Sequence, residues 1–219
     1  PIGSFYGLQT DGIFQNQAEI DAHAIQAGAQ PGDIRFVDVD DDGVVEFGSE
    51  DDLAVLGNPI PEMTLGFNLN MDYKGIDFAT SLYASVGNKA ARSYERFLTY
   101  SNKSRIYLDR WTGEGTSNTT PRASTNASNN YLFSDFFVED ASFLRIQNVQ
   151  LGYSIPASTL EKIKMDKLRV YIAANNLYTF TKYSGYNPDV SNANPAAAGV
   201  DLGQYPQTRT FTLGINVSF

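Results

Sequence analysis

The sequence contains no cysteine and a single histidine in 219 residues. The absence of cysteine excludes disulfides, thiol catalysis and Cys-ligated zinc, and it leaves the redox compartment open. The lone histidine, His23, has no Ser-x-Gly elbow or thiol near it, so triad chemistry has almost no support. There is also no phosphate-cradling glycine loop and no metal-binding histidine pair. We therefore expect a protein that is not an enzyme, with His23 in a surface or loop-packing role.

Positive charge and long apolar runs are also scarce. The chain has 16 Lys and Arg residues and 25 Asp and Glu residues, which gives a net charge of -9. This balance argues against a nucleic-acid partner, because neutralising phosphates requires clustered basic residues. No apolar run approaches the roughly 18 to 20 residues of a membrane-spanning helix, so any spanning structure must be built from strands.

What the sequence does contain is a period-two alternation of apolar and polar side chains, which is typical of strands with one apolar face. In the first such segment Leu65, Phe67, Leu69, Met71 and Tyr73 alternate with polar or small residues. The pattern returns in four further segments, at 76–86, 143–155, 168–178 and 210–219. The sequence therefore predicts five antiparallel strands of one kind.

Two local features refine this prediction. The Lys74-Gly75 pair between the first two segments predicts a tight hairpin. Within the third segment, the apolar residues Leu144 and Ile146 have even numbers, whereas Val149, Leu151 and the apolar residues after them have odd numbers. We interpret this switch as a β-bulge near Asn148.

The connections between the strands alternate between short and long, as in outer-membrane β-barrels. This predicts extracellular loops at 15–60, 88–140 and 183–206 and a periplasmic C-terminus. Five or six strands cannot close a membrane barrel, since open sheet edges are not tolerated in lipid. Residues 1–219 are therefore expected to be the C-terminal part of a larger antiparallel transmembrane β-barrel, with Pro1 to Phe14 ending an earlier strand; assembly of several copies is the alternative.

Aromatic residues lie near several predicted strand ends, where interfacial girdles mark the edges of a bilayer. High strand propensity of Tyr and Phe explains the same positions equally well. The residues concerned are Tyr73, Tyr153, Tyr171, Tyr178 and Phe219.

One helix is expected before the first hairpin. Asn16 can cap it, Glu19 occupies the capping-box position three residues later, and Gly28 is a plausible stop. The spacing predicts about three turns. Packing within a loop is the expected role of this helix.

The sharpest local motif is the acidic loop that begins at Asp38. Asp38, Asp40 and Asp42, followed by Gly43, match the first half of a calcium-binding loop. The template then predicts the carbonyl of Val44 and the carboxylate of Glu46 as further ligands. The second half departs from it, because position twelve is Ser49; Glu50, Asp51 or Asp52 would have to close the site. The expected ion is a structural Ca²⁺, and a solvated acidic loop is the alternative.

The long loops are rich in Asn, Ser, Thr, Tyr and Gly, which suit contacts to sugars or peptides. Trp111 is the only tryptophan. It is a candidate for a substrate-binding residue, and packing within its own loop is the alternative.

Several segments together resemble the SusC/RagA-type TonB-dependent outer-membrane transporters of Bacteroidota. Trp111 and the Pro121-Arg122 pair belong to this resemblance. The other segments cover most of the chain in the family's order: PIGSFYGL (1–8), DGIFQNQAEIDA (11–22), GDIRFVDVDDDGV (32–44), GNPIPEMTLGFNLNMDYKGIDFA (57–79), FLRIQNVQLGYSIPA (143–157), NNLYTFTKYSGYNPDVSN (175–192) and GINVSF (214–219).

The resemblance implies a barrel of about 22 strands, of which this chain is the C-terminal portion without the plug domain and TonB box. It also implies import of oligosaccharides or peptides across the outer membrane, beneath a SusD-like surface lipoprotein and with energy delivered through TonB. Two other functions stay open. One is a non-transporting outer-membrane barrel for adhesion or assembly, and the other is a secreted, calcium-stabilised, carbohydrate-binding β-sandwich.

Overall fold

A computed structural model describes residues 3–94, 105–124, 128–161, 164–190, 194 and 197–219. Pro1 and Asn192, which end two of the segments discussed above, lie outside these ranges, as do parts of the expected loops 88–140 and 183–206. Over the described residues the chain is all-β. Its strands are β1 (Phe5–Leu8), β2 (Thr10–Ile13), β3 (Ile25–Gln26), β4 (Ile34–Phe36), β5 (Val44–Val45), β6 (Leu53–Gly57), β7 (Met63–Tyr73), β8 (Ile76–Val86), β9 (Lys89–Arg92), β10 (Val138–Asp140), β11 (Phe143–Ser154), β12 (Lys167–Thr181), β13 (Val200–Asp201) and β14 (Thr210–Ser218).

The helical segments are short. They are α1 (Gln17–Asp21), α2 (Ala157–Leu160) and three 3₁₀ turns at Arg105–Asp109, Asn129–Tyr131 and Asp135–Phe137. Within the described ranges, no helix combines the length and the apolar character needed to cross a membrane.

The chain divides into two compact units. The sheet unit comprises Pro61–Asn88, Ala141–Pro188 and Tyr205–Phe219, and the loop unit comprises Pro1–Ile60, Lys89–Asp140 and Asp189–Gln204. The long strands all belong to the sheet unit, and the short strands all belong to the loop unit.

The sheet unit is one antiparallel sheet with the strand order β14-β12-β11-β8-β7. Its strands cover the five alternating segments, so the prediction of five antiparallel strands is confirmed. The predicted hairpin is present between β7 and β8. Lys74 and Gly75 both have positive φ, 47° and 86°, and such turns match the right-handed twist of the flanking strands.

The bulge in the third segment is also confirmed. The register of β11 shifts between Ile146 and Asn148 against both of its neighbours, β8 and β12. Because the side-chain period of a strand is two, one extra residue moves the apolar positions from even to odd numbers. The bulge therefore keeps Leu144, Ile146 and Leu151 on one face of the sheet.

The loop unit contains a dry core of its own. Partly buried side chains, among them Phe47, Trp111 and Phe136, pack around this core. Its fully buried members come from β1, β2, β4 and β5. They are Leu8, Ile13, Ile34, Phe36 and Val45. In this unit β1 pairs with β6, β2 with β4, and β3 with β5.

The helix at Asn16 is shorter than predicted. The Asn16 side chain accepts a hydrogen bond from the Glu19 amide at 3.0 Å, as a cap should, but α1 ends at Asp21. The three-turn prediction was wrong because Ile25 pairs with Val44 in a parallel bridge, which holds the following residues extended. Gly28, with φ of 74°, lies in a turn and does not end the helix.

The interpretation of residues 1–14 as the end of a long strand also needs correction. Within its described part, β1 and β2 are four residues each and pair with β6 and β4 of the loop unit. Their side chains Phe5, Leu8 and Ile13 are buried. These residues therefore belong to the buried interior of the loop unit.

Candidate functional site

The sheet has two faces of opposite character, and the apolar face is exposed. One row that crosses all five strands is apolar throughout, and Leu213 at its end has 76 % of its surface exposed. The row consists of Met71, Phe78, Leu151, Ile172 and Leu213, which are register partners in turn. Monomeric soluble proteins rarely leave such a continuous apolar surface uncovered, so this face fits lipid or another protein surface.

The opposite face is polar. One of its rows consists of side chains with amide or hydroxyl groups: Asn68, Ser81, Asn148, Asn175 and Thr210. Asn148 donates a hydrogen bond to Asn175 at 2.8 Å. Closer to the β7–β8 turn the face becomes charged, and Arg169 pairs there with Asp77. The polar face is suited to water and hydrophilic solutes.

The aromatic residues near the strand ends divide between the two faces. Tyr73 and Tyr153 lie in register with Ile76 on the apolar face. Tyr178 is paired with Ile146 on that face, and its ring contacts Phe180 with centroids 4.7 Å apart. Tyr171, in contrast, lies in register between Gly152 and Gly214 on the polar face.

The acidic loop brings three of its predicted ligands together. Carboxylate oxygens of Asp38, Asp40 and Asp42 lie within 4.8 Å of one another. Two oxygens bound to one Ca²⁺ are at most about 5 Å apart, so this separation suits a shared ion. The loop holds its shape through backbone amides: Gly43 donates to Asp38 at 2.9 Å and Val44 donates to Asp42 at 2.8 Å.

The charges in this loop are mutually unfavourable without a cation. Partial desolvation, together with the negative charges of Asp42 and Asp52, raises the pKa of Asp40 above its ordinary value, although the Asp42 amide acts in the opposite direction. The Asp38 Oδ1 atom is buried and has no hydrogen-bond partner within the described ranges. Such an orphaned carboxylate oxygen is a ligand available to a hard cation.

The second half of the loop is arranged differently from the template. Glu46 lies outside the three-carboxylate cluster, and its Oε2 accepts a hydrogen bond from Ser49 at 2.5 Å. Of the closing residues considered above, Asp52 is the buried one, with 1 % of its surface exposed. It accepts hydrogen bonds from the amides of Val39 at 2.7 Å and Glu46 at 2.6 Å. Asp52 thus joins the two ends of the loop through the backbone.

Trp111 is placed by contacts within the loop unit. Its ring lies against Gly32, where a Cβ would collide with it, and its indole N–H donates to Gln15 at 3.2 Å. Its backbone amide donates to the Thr120 carbonyl at 2.9 Å. These contacts place Trp111 within the loop unit, and its role in substrate binding stays a prediction.

His23 is held in a similar way. Its ring meets the ring of Phe14 edge-on, with centroids 5.3 Å apart, and its Nδ1 lies 3.0 Å from the Ala24 carbonyl. This is the loop-packing arrangement that the sequence suggested.

A feature that no motif predicted is a polar recess in the sheet unit with a volume of about 260 Å³. Its walls come from β11, from β12 and the residues after it, and from the segment before β14. Because these segments are separated in sequence, no local spacing could have grouped them. The lining includes Arg145, Thr179, Tyr186, Asn187, Gln207 and Arg209.

Comparison with known proteins gives consistent results. No family model matches the chain. The chain is 32 % identical over 227 residues to TonB-dependent receptor P3 of Formosa agariphila, an alignment that covers 100 % of this chain and 22 % of the relative. It is 33 % identical over 191 residues to TonB-dependent receptor SusC of Bacteroides thetaiotaomicron, covering 84 % of this chain and 17 % of SusC.

Solved structures of the RagAB peptide transporter have the same fold. One matches with a TM-score of 0.73 and 26 % identity over 99 % of this chain and 23 % of the matched chain. The RagAB importer in its closed-closed state matches with a TM-score of 0.71 and 27 % identity. The chain spans about a fifth of the length of the curated relatives that it matches.

Proposed function

Because this chain belongs to the SusC/RagA-type TonB-dependent receptors, we propose that it is the C-terminal part of an outer-membrane β-barrel of about 22 strands that imports nutrients. The observation that carries the proposal is the sheet with one exposed apolar face and one polar face. In a membrane barrel the apolar face meets lipid and the polar face lines the lumen.

The strand lengths fit this placement. An 11-residue strand such as β7 is about 36 Å long and, tilted by about 45°, spans about 26 Å, close to the roughly 25 Å apolar band of such barrels. The edge strands β7 and β14 would pair with further strands of the same barrel, since unpaired backbone groups are costly in lipid. Loops 15–60, 88–140 and 183–206 would then lie outside the cell and the C-terminus in the periplasm; most of these residues belong to the loop unit.

In this proposal no residue of the chain performs bond chemistry. Substrate, an oligosaccharide or a peptide, is captured between the extracellular loops and a SusD-like lipoprotein. TonB then acts on the plug domain elsewhere in the full-length receptor, and displacement of the plug opens the lumen. The polar side chains of the sheet would offer hydrogen bonds to the passing solute.

Uptake measurements test the proposal. Deletion of the gene for the full-length receptor should abolish uptake of a labelled oligosaccharide or peptide mixture, and disruption of TonB should have the same effect. Restoring the gene should restore uptake. If the wild-type receptor is correctly folded in the outer membrane but its deletion leaves uptake unchanged, the adhesion or assembly barrel is favoured. Solubility of the receptor without detergent would favour the secreted β-sandwich.

We also propose that the acidic loop binds a structural Ca²⁺ through Asp38, Asp40 and Asp42. The orphaned Asp38 oxygen and the spacing of the three carboxylates support this proposal. Val44 follows the cluster in sequence, and its carbonyl would supply a further ligand. Glu46 would need to exchange its bond with Ser49 for one to the ion.

Calcium should raise the melting temperature of the full-length receptor, and Asp40→Asn should remove that effect. Asp41→Asn is the matched control, because it removes a charge from the same loop and asparagine tolerates the positive φ of 60° found there. Equal losses in both variants would indicate general electrostatic attraction and contradict coordination.

A further inference from the structure

The recess in the sheet unit contains a guanidinium group that is held in one place. Arg145 has 4 % of its surface exposed. Its Nε donates to Thr179 Oγ1 at 3.1 Å and its Nη2 donates to Asn187 Oδ1 at 2.9 Å. The group also lies 4.7 Å from the centre of the Phe143 ring. Arg145 is thus a fixed part of the recess wall, engaged with its own neighbours, and this leaves recognition of a ligand to the other lining side chains.

Three other lining side chains are available to a ligand. Within the described residues, the side chains of Tyr186, Gln207 and Arg209 make no hydrogen bond or ion pair. All three are exposed, and Tyr186 has 78 % of its surface accessible. The segment that carries Gln207 and Arg209 is anchored, because Asn176 Nδ2 donates to the Thr208 carbonyl at 3.2 Å.

The charge of the recess differs from that of the chain. Two of its ten described lining residues are arginines and none is acidic, whereas the whole chain carries a net charge of -9. The exposed Arg209 guanidinium therefore attracts an anionic group. Its volume of about 260 Å³ lies below the roughly 300 Å³ at which complete small-molecule sites begin, so it suits one end of a larger ligand.

We propose that this recess binds the C-terminal carboxylate of an imported peptide. Arg209 is the ion-pairing partner, since guanidinium matches the fork geometry of a carboxylate. The Gln207 side-chain amide forms hydrogen bonds with the last peptide group, and the Tyr186 ring packs on an apolar C-terminal side chain. A uronic acid would also supply a carboxylate, but its ring hydroxyls would require several more polar partners. The inference rests on the proposed import function, and it narrows the substrate to peptides.

Binding to the purified full-length receptor in detergent tests this inference directly. The probe is a fluorescein-labelled tripeptide that ends in leucine, with either a free carboxylate or a C-terminal amide. We expect the amide to bind about tenfold more weakly, the loss typical of one charge-assisted hydrogen bond. In Arg209→Gln the two probes should bind alike, whereas Arg209→Lys should retain part of the preference.

Lys182→Gln is the matched control, because Lys182 is an exposed cation of the same unit that does not line the recess. It should keep the full preference for the carboxylate. A preference that survives in Arg209→Gln, or that disappears equally in Lys182→Gln, would overturn the proposal. So would a receptor that ignores the peptide carboxylate and prefers free to methyl-esterified trigalacturonate. Because binding is measured without TonB, these outcomes are separate from a failure of uptake.

Discussion

Asp77 and Arg169 form a two-bond ion pair across a strand to which neither belongs. Asp77 is on β8, Arg169 is on β12, and β11 runs between them. Arg169 Nε donates to Asp77 Oδ1 at 2.8 Å, and its Nη2 donates to Oδ2. The residue of β11 beneath this bridge is Gly152, and a Cβ added there would collide with both charged groups. The missing side chain is what allows the pair to form.

Gly152→Ala should therefore destabilise the sheet. The extra methyl group must displace the guanidinium or the carboxylate, and we expect a loss of about 1 to 3 kcal/mol in the free energy of unfolding, as for other overpacked sites. Urea unfolding of the full-length receptor in detergent measures it. Gly66→Ala is the control. Gly66 is on β7 and shares the polar face of the sheet with Gly152, and nothing lies within 4 Å of its Cβ position. Equal effects of the two substitutions would count against the ion pair as the cause.

The carboxylate of Asp52 should matter independently of any bound ion. Asp52→Ala removes the acceptor of two backbone amides, those of Val39 and Glu46, and each hydrogen bond to a charged group is worth about 1.5 to 3 kcal/mol. We expect faster hydrogen exchange at both amides in calcium-free buffer. Asp51→Ala, at the exposed neighbouring position, should leave the exchange rates unchanged. Slow exchange in Asp52→Ala would mean that other contacts close the loop.

The ion pair of Asp33 with Arg122 should be far more important than that of Asp11 with Arg35. The Asp33 side chain is 1 % exposed and accepts a bond from Arg122 Nε at 2.7 Å, whereas the Asp11 side chain is 70 % exposed. Arg122→Gln leaves a buried carboxylate without its cation, which costs about 3 kcal/mol. Arg35→Gln should cost less than about 1 kcal/mol. Hydrogen-exchange protection of the Ile34 amide, which donates to Asn130 at 2.8 Å, measures the loss of stability in each variant. Similar losses in Arg122→Gln and Arg35→Gln would contradict the prediction.

Local patterns were sufficient to predict the sheet. The alternation from Leu65 onward, the Lys74-Gly75 turn and the parity switch near Asn148 each depend on residues that are close in sequence. One exception lay within these strands. Tyr171 was grouped with the interfacial aromatics, but register places it beside Gly214 on the polar face, and register is a property of strand pairs.

The loop unit was far less predictable, because its contacts are distant in sequence. Asp33 and Arg122 are 89 residues apart, and the bridge from Ile25 to Val44 that ends the helix early has no local signal. The three aspartates of the acidic loop were accessible to prediction because their spacing is two residues. The role of Asp52 was not, since a buried carboxylate and an exposed one look the same in sequence.

Two neighbouring residues of β14 test the orientation of the sheet. Leu213 belongs to the apolar row with Ile172, and Thr212 is the register partner of Ala173 on the polar face. If the apolar face meets hydrocarbon, Leu213→Arg should cost about 2 to 4 kcal/mol near the middle of the bilayer, as charges do on the lipid face of barrels. Thr212→Arg should cost little, because its side chain would extend into water. Unfolding of the full-length receptor in lipid vesicles compares the two variants. Equal costs would contradict a sheet with one face in hydrocarbon and the other in water, and the import proposal would then lose its physical basis.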